Sequence, residues 1–137
     1  MKYQKLDGWK YRLSATECFQ TPIKPVEDIH APYIKLFKDG RLEIFQGYCW
    51  DGPSGPTIDR KTNMRGSMAH DALYQLMRSG MLPQSARPDA DAYLAECWIA
   101  DGMWAWLAKT EAAIVTRFGA ANAAENPHAE PPILEAP

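Results

Sequence analysis

The apolar period of this chain changes midway, and the change falls on a rigid segment. Before residue 50, apolar and polar residues alternate as in a half-buried strand. Lys10 and Arg12 separate Trp9, Tyr11 and Leu13, and Glu43 separates Leu42 from Ile44. After residue 63, Met68, Ala69, Ala72, Leu73, Leu76 and Met77 recur at near-helical spacing. Between the two lies Asp51-Gly52-Pro53-Ser54-Gly55-Pro56-Thr57, whose prolines fix φ and whose glycines allow φ > 0. Strands first and helices after predict an α+β fold: a small antiparallel sheet from the N-terminal half, packed by two or three helices from the C-terminal half.

Local signals place the elements. Residues 1–20 read as one or two strands, with Glu17 to Gln20 continuing after a bend. Thr21 to Pro32 holds three prolines and reads as an extended connector, with His30 as a surface residue. Asp39-Gly40, between two apolar-rich runs, marks a hairpin over Tyr33 to Tyr48 that delivers the chain into the Gly/Pro segment. Asn63 or Thr62 can cap a helix from about Met64 to Arg78, and Ser79-Gly80 stops it. A second helix is expected from Pro88-Asp89. It either breaks at Asp101-Gly102 before a third, from about Met103 to Phe118, or continues with a kink. Residues 1–119 are expected to form one domain and residues 120–137, rich in Ala, Pro and Glu, a flexible tail.

A net charge of −2 gives no general electrostatic reason to bind nucleic acid. Cys18, Cys49 and Cys97 are odd in number and widely spaced, as expected of free thiols in a reducing compartment. No secretory leader or transmembrane segment is expected.

The chemistry-bearing residues sit around the rigid segment. His70 and Tyr74, at i and i+4, share a helix face, while Asp71 points about 100° away from His70. His70 can therefore act on a water while Asp71 serves a metal. Asp91, near the start of the next helix, can orient the His70 ring, although its plain reading is a charge at a helix N-terminus. Asp51, Gly52, Gly55 and Asp71 supply carboxylate and carbonyl oxygens of the kind that calcium or magnesium prefers. The alternative for Asp51 is a side-chain-stabilised turn. Ser54 lacks the strand–serine–helix context of a nucleophile elbow and is read, with Tyr74, as part of a site or network. Trp98, Trp104 and Trp106 read as core aromatics.

The pattern Asp51-Gly52-Pro53-Ser54-Gly55-Pro56, then His70-Asp71-Ala72-Leu73-Tyr74, then Ala90-Asp91 resembles a family of small phage and prophage proteins catalogued as a domain of unknown function. The likeness spans about residues 8–119. It implies a viral or prophage origin, a location in the cytoplasm of the infected or lysogenic host or in the virion, and partners among phage or host proteins. The His70-Asp71-x-x-Tyr74 run behind a Gly-rich loop also resembles secreted phospholipase A2. That likeness implies His70 as the base, Asp71 as a calcium ligand and Asp91 as a support for His70. The paired cysteines of that family are absent, and D-G-P-S-G-P stands in place of its calcium loop. Two functions follow as expectations: a metal-assisted hydrolase of a lipid ester or cell-wall bond, or a non-catalytic virion, assembly or host-interaction protein in which the His/Asp/Tyr set is a hydrogen-bond network.

Overall fold

The computed structural model describes residues 1–6, 11–52 and 61–123, with side chains as far as Arg117. Trp9, Ser54 and Gly55 lie outside the described residues. Seven short strands precede three helices: β1 (Tyr3–Lys5), β2 (Tyr11–Leu13), β3 (Glu17–Gln20), β4 (Ile29–Ala31), β5 (Ile34–Leu36), β6 (Arg41–Ile44), β7 (Cys49–Trp50), α1 (Met64–Arg78), α2 (Arg87–Ala100) and α3 (Ala105–Ala123). The α+β arrangement is the one that the change of period predicts.

The strands form two antiparallel sheets, one ordered β1-β2-β7 and the other β3-β6-β5-β4. The hairpin joins β5 to β6, with Leu36 opposite Leu42 and Ile34 opposite Ile44. Its turn closes by the Gly40 amide donating to the Phe37 carbonyl at 2.9 Å and the Arg41 amide donating to Asp39 Oδ1 at 2.9 Å. Two expectations change. The proline-flanked connector contains β4, which pairs with β5. The second hairpin strand ends at Ile44, and the chain turns before Cys49-Trp50 joins β2 in the other sheet. Short strands bounded by prolines or a turn leave too little alternation to be read from sequence.

Phe19, Ile34, Leu36, Leu42 and Ile44 join Met68, Ala69, Ala72, Leu73 and Leu76 of α1 in one buried cluster. Each of the Leu, Ile, Phe and Met side chains contributes about 1.5–3 kcal/mol on burial. Twelve of the fifteen α1 residues are buried, so this helix is the central element and not a one-sided surface helix. α2 approaches it closely at Gly66, where a Cβ would lie 2.8 Å from Trp98 Cδ1. The Trp98 indole donates to the Asn63 carbonyl at 2.9 Å, locking the two helices at the N-terminus of α1. Asn63 occupies the N-cap position but makes no side-chain cap hydrogen bond.

The chain breaks after α2 at Asp101-Gly102, and α3 passes through Gly119 to end at Ala123. Trp98 is fully buried, as expected of core, but Trp104 and Trp106 are 69% and 63% exposed. They lie at the start of α3, with ring centroids 6.1 Å apart. All three cysteines are free thiols. Among the described residues, no helix is long and apolar enough to cross a membrane.

Candidate functional site

The central position of α1 decides what its polar residues meet. His70, 4% exposed, lies against Tyr74 with ring centroids 4.0 Å apart, the contact expected of i and i+4 on one face. α2 brings Asp91 to the same point. His70 Nε2 is 2.7 Å from Asp91 Oδ1, and the Tyr74 hydroxyl donates to that oxygen at 2.5 Å. Asp91 is thus a partner of His70 and not merely a charge at a helix N-terminus.

Arg87, one turn before Asp91, completes the arrangement. Its Nε donates to the Tyr74 hydroxyl at 3.1 Å and lies 3.9 Å from Asp91 Oδ2. One terminal nitrogen donates to the Thr116 carbonyl of α3 at 2.7 Å. The network therefore ties all three helices together.

Ionisation sets its polarity. Burial alone would raise the Asp91 pKa, but hydrogen bonds from His70 and Tyr74 outweigh it and hold the carboxyl below its ordinary range. An ionised carboxylate can only accept, so His70 Nε2 carries the proton and donates. In a neutral ring bonded this way, the lone pair would reside on Nδ1. Burial, and then the bond to Asp91, push the Tyr74 phenol upward and keep it a neutral donor.

Asp71 belongs to a different environment. It is partly buried, and its pKa rises from 3.8 to about 8. Burial is the main cause; Arg78 works against it and Asp51 adds to it. Tyr48 borders the same place. Burial and then the Asp71 charge raise its pKa, and its hydroxyl donates to Gln75 Oε1 at 3.4 Å. Asp51 is exposed, and Gly52 after it is buried with φ +86°. Only glycine takes that conformation without strain.

The Asp51 charge therefore reaches Asp71 as one carboxylate does another of like charge. Among the described residues, no group of three or more His, Cys, Asp or Glu side chains could hold a metal. Carboxylates are ligands that calcium and magnesium prefer, but this pair alone falls short of such a group.

Ser54 and Gly55 belong to the segment outside the described residues, so the structure does not place them relative to His70. Sequence reasoning missed Arg87, Gln75 and Arg78. Arg87 had a signal: it is four residues before Asp91 on one helix, an ion-pair spacing. Compared with known proteins, the chain matches no family model, no curated protein and no solved structure.

Proposed function

We infer that this chain is a phage- or prophage-encoded hydrolase that cleaves an ester or amide carbonyl compound of the bacterial envelope, a lipid ester or a cell-wall bond. One observation carries the reading: the 2.7 Å bond between His70 Nε2 and an ionised Asp91, which leaves Nδ1 as the basic nitrogen. His70 Nδ1 accepts a proton from a water, and the water oxygen forms a bond to the carbonyl carbon. The protonated imidazole, its Nε2–H still on Asp91, then returns the proton to the departing oxygen or nitrogen as the carbonyl re-forms. Asp91 orients the ring, while Tyr74 and Arg87 hold Asp91. Asp71 and Asp51, with Gly52 and Gly55 supplying carbonyl oxygens, would hold a calcium or magnesium ion, which would supply positive charge to a developing oxyanion.

A second reading also has an observation in its favour. His70 is almost fully buried, and its partner is tied through Arg87 to α3. On that reading the set is a structural network of a virion, assembly or host-interaction protein. His70→Gln separates the two. It retains hydrogen-bonding ability but removes the base. Catalysis predicts a rate loss of about 10²–10⁴ with a small change in stability. A structural network predicts a loss of roughly 1–3 kcal/mol, with phage yield or lysis falling only as folded protein falls. Thermal melts beside a lysis assay on the same variant read both. A stable His70→Gln protein with full biological activity would overturn the hydrolase reading.

A further inference from the structure

A groove of about 790 Å³ runs between the 22–30 segment and the 81–89 segment, away from the His70 network. Its size is within the ordinary range of ligand clefts. Ile29 and His30, neighbours on one strand, both line it. Successive strand residues point to opposite faces, so a groove that touches both includes the edge of the strand. Among the described residues that strand, β4, is the outermost of the four-stranded sheet and pairs on one side only, with β5. An open sheet edge is a template for another extended chain.

The walls add three features. Val26 and Met81 are 92% and 46% exposed, and both line this groove. Pro22, Pro25 and Pro83 fix the backbone on both sides, which lowers the ordering cost of binding. Among the described lining residues, Glu27, Asp28 and Asp89 are three carboxylates against the one ammonium of Lys24, and Asp28 Oδ1 also accepts from the Lys38 amide at 2.9 Å.

We propose that this groove binds an extended segment of a partner protein, in which apolar and basic side chains alternate, as an added strand on β4. Main-chain hydrogen bonds to β4 supply the register. Apolar side chains of one parity rest on Val26 and Met81, while basic side chains meet Glu27, Asp28 and Asp89. The inference does not depend on the hydrolase reading, since none of these residues belongs to the His70 network.

The test is selection of a displayed library of random short peptides on the whole protein, with counter-selection on a Val26→Glu/Met81→Glu variant. Both side chains are already exposed, so the variant is expected to fold. The expected result is enrichment of alternating apolar and basic sequences. A synthetic peptide of the enriched sequence should shift the amide resonances of Ile29–Ala31 and lose roughly tenfold or more in affinity on the double variant. Glu27→Lys/Asp89→Lys should turn the preference toward acidic peptides. The proposal is overturned if no sequence is enriched, if enriched peptides lack basic residues, or if they leave the Ile29–Ala31 resonances unmoved. It is also overturned if the protein dimerises through β4, or if enrichment requires removal of residues 124–137, since the occupant would then be a second copy or the chain's own tail.

Discussion

Replacing Asp71 by asparagine should make the protein less sensitive to alkaline pH. Folding raises the Asp71 pKa from 3.8 to about 8, so the folded state holds this proton more tightly than the unfolded chain. The contribution to stability is fully present below about pH 4 and is lost as pH rises through about 8. At about 1.4 kcal/mol per pKa unit, the whole shift would correspond to roughly 6 kcal/mol. Asp71 is only partly buried and Arg78 attracts its charge, so solvent screening reduces the usable figure to about 2–3 kcal/mol. Urea unfolding at about pH 4 and about pH 9 measures it. The wild type should lose about 2–3 kcal/mol more than Asp71→Asn over that interval. Calcium or magnesium at about ten times its dissociation constant should return about 1.4 kcal/mol to the wild type at the upper pH, and nothing to the variant. Parallel pH profiles for the two proteins would refute the reasoning, because Asp71 would then ionise as easily in the fold as outside it.

Three further substitutions probe the elements that position the site. Asp91→Asn replaces charge-assisted bonds from His70 and Tyr74 by neutral ones and should cost about 2–4 kcal/mol near neutral pH. Because the folded Asp91 pKa is depressed, this advantage of the wild type exists above about pH 4 and should fade as pH falls below it, which urea melts across the acid range would show. Gly66→Ala gains about 1 kcal/mol of helix propensity but drives a methyl group to 2.8 Å from Trp98 Cδ1. Overpacking should win by about 1–2 kcal/mol, lowering Tm by roughly 3–6 °C, and an unchanged or raised Tm would mean that α2 yields freely. Gly52→Val forces a β-branched residue to φ +86° and should cost at least about 1–2 kcal/mol, with less folded protein in the soluble fraction. An equally stable variant would show that the segment after Asp51 does not constrain Gly52.

The sequence revealed different parts of this fold to different degrees. α1 was legible because its apolar positions recur at near-helical spacing from Met68 to Met77 and Ser79-Gly80 stops it. The β5–β6 hairpin was legible because Asp39-Gly40 separates two alternating runs. The division of the strands into two sheets was not. β2 and β7 have three and two residues, and their pairing of Tyr11 with Trp50 spans 39 residues, with no local signal. Nor could the exposure of Trp104 and Trp106 be read from spacing, since a turn at Asp101-Gly102 starts α3 in a new phase relative to α2.

The same distinction applies within the site. His70 and Tyr74 meet because one helix fixes i against i+4, so that contact follows from sequence alone. The meeting of His70 with Asp91 depends on the packing of α2 on α1. That packing is set elsewhere, by the missing side chain at Gly66 and the Trp98 bond to the Asn63 carbonyl. Gly66 and Trp98 thus position the dyad from a distance. A glycine that lets α2 approach brings Asp91 within reach of His70, and the donors gathered around Asp91 keep it ionised. That ionisation assigns the proton to Nε2 and the lone pair to Nδ1. The chemistry proposed for His70 therefore rests on the α1–α2 packing as much as on the histidine itself.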